Sequence, residues 1–170
     1  MDQLDQTFYT ASVMSPDFWI EAFPPAGIFG LAFGEISISN EPTPAENLNK
    51  SGQLPEPIFS FRLSDIPGLS ELVVGGANYT AFKNDTRVCA PVTKKGFWQI
   101  SLGRLRRSDH QVLGSINYPA IVDTGTTLII VPTAMANDYF SGISGAQCTT
   151  GTCTGMSRLF PHIITSPDTS

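Results

Sequence analysis

Asp123-Thr124-Gly125-Thr126-Thr127 places one carboxylate in a tight, hydroxyl-rich turn between the apolar runs Ala120-Ile121-Val122 and Leu128-Ile129-Ile130-Val131. Both runs read as short buried β-strands. An Asp between buried strands needs partners, because a desolvated, unpaired carboxylate is costly. The turn can supply them. Gly125 allows close backbone approach and an unusual φ, so N–H groups beyond Asp123 can point at its carboxylate, and Thr124 and Thr126 offer hydroxyls. A carboxylate held in this way is fixed and acidic. Two such turns facing each other would share one proton, since like charges in contact cannot both ionise. The pair could then deprotonate a water and protonate a leaving group. Asp-Thr-Gly alone is a weak pattern, which ordinary Asp–Gly turns also produce. The apolar frame sharpens it.

Three further stretches resemble, in order and spacing, the middle of a pepsin-like aspartic peptidase. Ala26-Gly27-Ile28-Phe29-Gly30-Leu31-Ala32-Phe33 looks like the family's Asp-Gly-Ile-Leu-Gly-Leu-Ala-Tyr segment, with Ala26 where the family usually has Asp. Glu71-Leu72-Val73-Val74-Gly75-Gly76 looks like its strand ending in paired glycines. Pro91-Val92-Thr93 and Gly96-Phe97-Trp98-Gln99-Ile100 match its Pro-Val-Thr and Gly-Tyr-Trp-Gln-Ile run. The resemblance covers roughly residues 8 to 153.

It implies an all-β fold with short helices, the pepsin-like fold of two β lobes, each contributing one Asp-Thr/Ser-Gly turn braced by an apolar-apolar-Gly segment behind it. Both lobes are expected to be incomplete in this chain. Residues 1–88 would be the C-terminal part of the first lobe, 89–153 the N-terminal part of the second, and 154–170 a divergent tail, loosely packed or disordered. Ile28-Phe29-Gly30 resembles the first lobe's brace, and Asp123 the second lobe's catalytic aspartate. Thr124 resembles the threonine that cross-links the two turns, and Thr126 and Thr127 those that orient the carboxylate and touch a bound peptide. The implied reaction is hydrolysis of peptide bonds by water activated between two aspartates, with a polypeptide substrate, no cofactor and no metal. Only one of those aspartates is in this sequence, so the chain by itself is expected to be inactive. The alternative is a non-catalytic relic or truncated gene model acting at most as a binding or structural module. A homodimer supplying two Asp123 carboxylates is disfavoured, because small dimeric subunits carry turn, flap and brace together. The full-length parent is expected to be a monomer.

Composition fits part of a secreted β protein. Charged residues are 15% and the net charge is −5, with an isoelectric point near 4.8, which argues against nucleic acid or an anionic membrane as partner. No apolar run reaches membrane-spanning length, and Met1-Asp2-Gln3-Leu4-Asp5 is unlike a signal peptide. Three glycosylation acceptor patterns, Asn49-Lys50-Ser51, Asn78-Tyr79-Thr80 and Asn84-Asp85-Thr86, favour a secreted or vacuolar, lysosome-like parent whose start lies upstream. Cys89, Cys148 and Cys153 form an odd set, so at least one is unpaired within the chain. Cys148 and Cys153 enclose a short Thr-Gly loop and make one candidate disulfide; a partner downstream of Ser170 is the other possibility. Their spacing, without a nearby His, is poor for zinc.

Most of the chain is short apolar or β-branched runs punctuated by Gly, Pro and Asn, the pattern of a many-stranded β protein. Two helices are predicted: Ala45 to Ser51, after Thr43-Pro44 and before Gly52, and Thr133 to Ser141, after Pro132, where Ala134, Met135, Tyr139 and Phe140 have spacings that permit an apolar face. Residues 34–57, with Pro42, Pro44, Pro55 and Pro57, should run over the surface. His110 and His162 sit in polar or terminal segments without a nucleophile motif. Arg104-Leu105-Arg106-Arg107 reads as a solvated loop, and Phe97 and Trp98 read as packing residues.

Overall fold

The computed structural model describes residues 5–15, 27–106, 112–126, 128–149, 152–154 and 162–166. It is strand-rich, with few and short helices and no closed barrel among the described residues. This is consistent with a partial pepsin-like all-β fold. The chain forms two compact units, Met1–Ala90 with Lys94–Trp98, and Pro91–Thr93 with Gln99–Ser170.

In the first unit, strands β1 (Phe59–Arg62) and β2 (Glu71–Val74) form an antiparallel pair, Phe59 opposite Val74 and Arg62 opposite Glu71. β2 ends at the paired glycines for a steric reason. Gly75 has φ +83°, and a Cβ there would stand 2.9 Å from Pro55 Cδ. Its N–H donates to Ile58 O at 2.8 Å, closing the pair. An aromatic group packs alongside. The Trp98 ring lies 4.4 Å from Phe33 and 5.4 Å from Phe59, and its Nε1 donates to Leu31 O at 2.8 Å. The indole thus meets the demand of its one polar atom while packing its rings.

The first predicted helix is α1 (Pro44–Lys50). Thr43 caps it: its side chain accepts the Glu46 N–H at 3.3 Å, while Glu46 Oε2 accepts the Thr43 N–H at 2.9 Å, a reciprocal capping box with Pro44 in the first turn. Gly52, at φ +67°, follows its C-terminal end. A 3-10 turn, Gly34–Ile36, and another, Asn84–Thr86, go beyond the elements expected from sequence.

In the second unit, β3 (Gln99–Arg106) pairs antiparallel with β4 (Val112–Ile121), with irregular register around Gly103. A four-stranded sheet follows in the order β5 (Ile129–Pro132), β8 (His162–Ser166), β7 (Thr152–Thr154), β6 (Gln147–Thr149). β5 and β8 are parallel; the other pairs are antiparallel. Helix α2 (Thr133–Ser141) has the predicted bounds. It presents Ala136, Tyr139 and Phe140, the buried apolar residues among those described, toward Val131, Ile143 and Ala146. Positions one turn apart on a helix share a face, which is why these three form one core.

Some expectations need correction. Arg104, Leu105 and Arg106, read as part of a loop, are the last residues of β3, and Arg107 lies outside the described residues. The flanks of Asp123 are not buried: Ile121 is 51% exposed, Val122 57% and Ile130 56%. β4 belongs to a two-stranded sheet and β5 lies at a sheet edge, so neither strand is enclosed by neighbours on both sides. Of the last stretch, expected to be a loosely packed tail, residues 162–166 form strand β8, which pairs Ile163 with Ile129 and with Cys153, while 155–161 and 167–170 lie outside the described residues. Thr154 is the last residue of β7, opposite His162. The β-branched run Ile163-Ile164-Thr165 suits a strand flanked on both sides.

Candidate functional site

β4 ends at Ile121 and β5 begins at Ile129, so Asp123 sits in the turn between them. Both of its carboxylate oxygens have partners. The Gly125 N–H donates to Oδ1 at 2.8 Å, and the Thr126 hydroxyl donates to Oδ2 at 2.5 Å. Gly125 allows the first contact, since a Cβ there would lie 3.2 Å from Oδ1. The Thr126 hydroxyl, and after it the Gly125 N–H, hold the Asp123 carboxyl below its ordinary range, with partial burial opposing them. Asp123 itself is exposed, so the turn fixes the carboxylate without a desolvated pocket around it. Thr124 was expected to add a hydroxyl; among the described residues no bond from it to the carboxylate occurs. Thr127 lies outside the described residues.

Ile28-Phe29-Gly30 lies in the first unit outside any helix or strand. Ile28 is 82% exposed and Phe29 60%. With Phe8, Tyr9, Phe33 and Ile36 they line an open apolar concavity of about 510 Å³. Ala26, Arg107 and His110 lie outside the described residues, as do the side chains of Arg104, Arg106 and His162. Phe97 is 48% exposed, unlike the Trp98 ring beside it.

Of the glycosylation candidates, Asn49 is exposed in the last turn of α1. Asn78 is half-buried: its Nδ2 donates to Glu71 Oε1 at 2.7 Å, and its Oδ1 accepts from Thr80 N–H at 3.1 Å and Thr80 Oγ1 at 2.7 Å. Asn84 begins a 3-10 turn and its side chain lies outside the described set. Cys89 is a free, exposed cysteine. Cys148 and Cys153 are register partners in β6 and β7, and their side chains lie outside the described set. Among the described residues no group of three or more His, Cys, Asp or Glu is placed to hold a metal ion. No described helix is long and apolar enough to cross a membrane.

Glu46 is the residue that sequence reading passed over. Its carboxylate reaches beyond its own helix to the Gly34 N–H at 3.1 Å. The Thr43-x-x-Glu46 spacing signals the capping box, but nothing local signals the second contact.

The family profile of eukaryotic aspartyl proteases matches residues 2–159. Pepsin B of Canis lupus familiaris is 37% identical over 125 residues, covering 71% of this chain and 32% of that protein. Aspartic proteinase A2 of Arabidopsis thaliana is 34% identical over 157 residues, 86% of this chain and 30% of its own length. Pepsin-3 of Oryctolagus cuniculus is 29% identical over 157 residues, 90% of this chain and 40% of its own length. The chain therefore spans well under half the length of these relatives, and it belongs to the eukaryotic aspartyl protease family.

Proposed function

We propose that this chain is part of an aspartic endopeptidase in which Asp123 is one of two aspartates that activate a water against a peptide bond. The partner carboxylate is supplied by residues outside this sequence. The observation that carries the reading is the double grip on Asp123, by the Gly125 N–H and the Thr126 hydroxyl, inside an Asp-Thr-Gly turn of a chain from this family. A fixed, acidic carboxylate stays ionised while its partner keeps the shared proton. It can then draw a proton from the water as the partner protonates the leaving nitrogen. In this scheme Thr124 links the two turns, Thr126 and Thr127 orient the carboxylate and touch the peptide, and Ile28-Phe29-Gly30 braces the other turn.

In the same reading, residues 1–88 and 89–153 are pieces of two lobes and 154–170 a divergent tail. The parent is a monomer that acts on polypeptides in a secreted or vacuolar, lysosome-like compartment. Asn49, Asn78 and Asn84 are its glycan acceptors. A Cys148–Cys153 disulfide is favoured by their register, since paired antiparallel residues bring Cα atoms about as close as a disulfide requires.

For the 170 residues alone, the exposed Ile28 and Phe29 favour the non-catalytic reading, because a brace without a turn to support positions nothing. The test is titration of the isolated chain with a statine-type transition-state analogue, whose hydroxyl sits between two carboxylates. No binding is expected. Saturable binding that Asp123→Asn abolishes would show that the chain completes a dyad by itself.

A further inference from the structure

Oε1 of Glu46 accepts the Gly34 N–H at 3.1 Å and Oε2 accepts the Thr43 N–H at 2.9 Å. One carboxylate thus joins the 3-10 turn Gly34–Ile36 to the first turn of α1 and closes the loop between them. The fit is close, since a Cβ on Gly34 would stand 2.9 Å from Oε2 and 3.2 Å from Oε1. That loop forms one wall of the 510 Å³ concavity through Ile36, Ser37, Ser39, Glu41 and Pro42. Neutral ties hold the same region. Asn47 Nδ2 donates to Gln6 Oε1 at 3.0 Å, and Gln6 Nε2 donates to Pro42 O at 3.3 Å. Of these ties, the Glu46 tie alone can titrate.

We propose that Glu46 is an acid-released clasp: ionised, it holds residues 34–43 as a wall of the apolar concavity, and protonated it lets that wall go. The ionised carboxylate has two acceptor oxygens for two backbone donors. On protonation one oxygen becomes a hydroxyl, leaving one N–H without its acceptor and the other with a weaker bond. The Thr43 and Gly34 N–H groups, with a smaller pull from Lys50, hold Glu46 below its ordinary value, so the clasp stays shut in mild acid and opens only as the pH falls through that lowered value. The elements around it carry Lys50 on α1, Glu35 on the 3-10 turn, Glu41 on the loop and Asp5 on the segment whose carbonyl accepts from Asn47. Mutation separates Glu46 from these neighbours.

The experiment is amide hydrogen exchange on the whole 170-residue chain at about pH 6 and about pH 2, each amide normalised to its intrinsic rate. Gly75, whose N–H is held by a backbone carbonyl, serves as reference. Protection at Gly34 is expected to fall about tenfold relative to Gly75 between the two conditions, the loss of one charge-assisted bond. Glu46→Gln should show the low value at both. In Gly34→Ala the new methyl displaces the flexible carboxylate, meeting the Thr43 acceptor Oε2 most closely, so residue 34 and Thr43 should both lose protection. A Gly34 amide unprotected at about pH 6, one whose protection does not change, or an equal step persisting in Glu46→Gln would each overturn the clasp.

Discussion

Thr126 and Asp123 form the tightest polar contact of the candidate site: the threonine hydroxyl donates to Oδ2 at 2.5 Å, leaving the Gly125 N–H to hold Oδ1 at 2.8 Å. Both contacts lie within three residues of the aspartate, so they depend on the turn and not on distant packing. This is the relationship on which the proposed chemistry rests.

Removing the hydroxyl should make Asp123 less acidic. Its folded value is lowered by Thr126 first, so the stability it contributes is present above the unfolded value and lost as pH falls through the folded one. Thr126→Ala should therefore move the carboxyl titration midpoint upward, read from its carbon chemical shift. Thr126→Ser should leave it nearly in place. In a longer chain with both aspartates, Thr126→Ala is expected to lower kcat/KM about tenfold, the worth of one charge-assisted hydrogen bond.

The paired glycines should differ. Gly75 has a left-handed φ of +83° and a neighbour at 2.9 Å, whereas a Cβ on Gly76 would meet nothing within 4 Å. Gly75→Ala is expected to cost at least about 1 kcal/mol in denaturant unfolding. Gly76→Ala should change the midpoint by about 0.5 kcal/mol or less. Equal effects would contradict the account of how β2 ends.

Trp98 combines packing with one hydrogen bond, and two substitutions separate them. Trp98→Phe loses the bond to Leu31 O and should cost about 1 kcal/mol. Trp98→Ala also loses the contacts with Phe33 and Phe59 and should cost about 3 kcal/mol. Urea unfolding followed by circular dichroism measures both.

Local features were the legible ones. Helix α2 follows Pro132, and its bounds could be read from sequence; its buried face was legible only in part, since Tyr139 and Phe140 are buried as expected while Ala134 is exposed and Ala136 is buried instead. The Asp123 turn was legible for the same reason, since its donors lie two and three residues onward. Burial was not. Ile121, Val122 and Ile130 have the composition of core strands, yet they are exposed, because burial depends on what covers a strand and not on the strand itself. The parallel pairing of β5 with β8 also escaped, as it joins segments far apart along the chain. Glu46 shows both levels in one residue: the bond to Thr43 follows from spacing, and the bond to Gly34 from tertiary folding.

The central claim, that Asp123 is half of a catalytic pair, is tested most directly by acid proteolysis of an unfolded protein by a longer chain that carries both aspartates. Asp123→Asn keeps the size and shape of the side chain while removing its charge and turning one acceptor oxygen into an NH2 donor that faces the Thr126 hydroxyl or the Gly125 N–H. It should leave thermal unfolding within about 1 kcal/mol of wild type and reduce the hydrolysis rate by at least about a thousandfold. A folded Asp123→Asn protein that retains the wild-type rate would contradict the assignment.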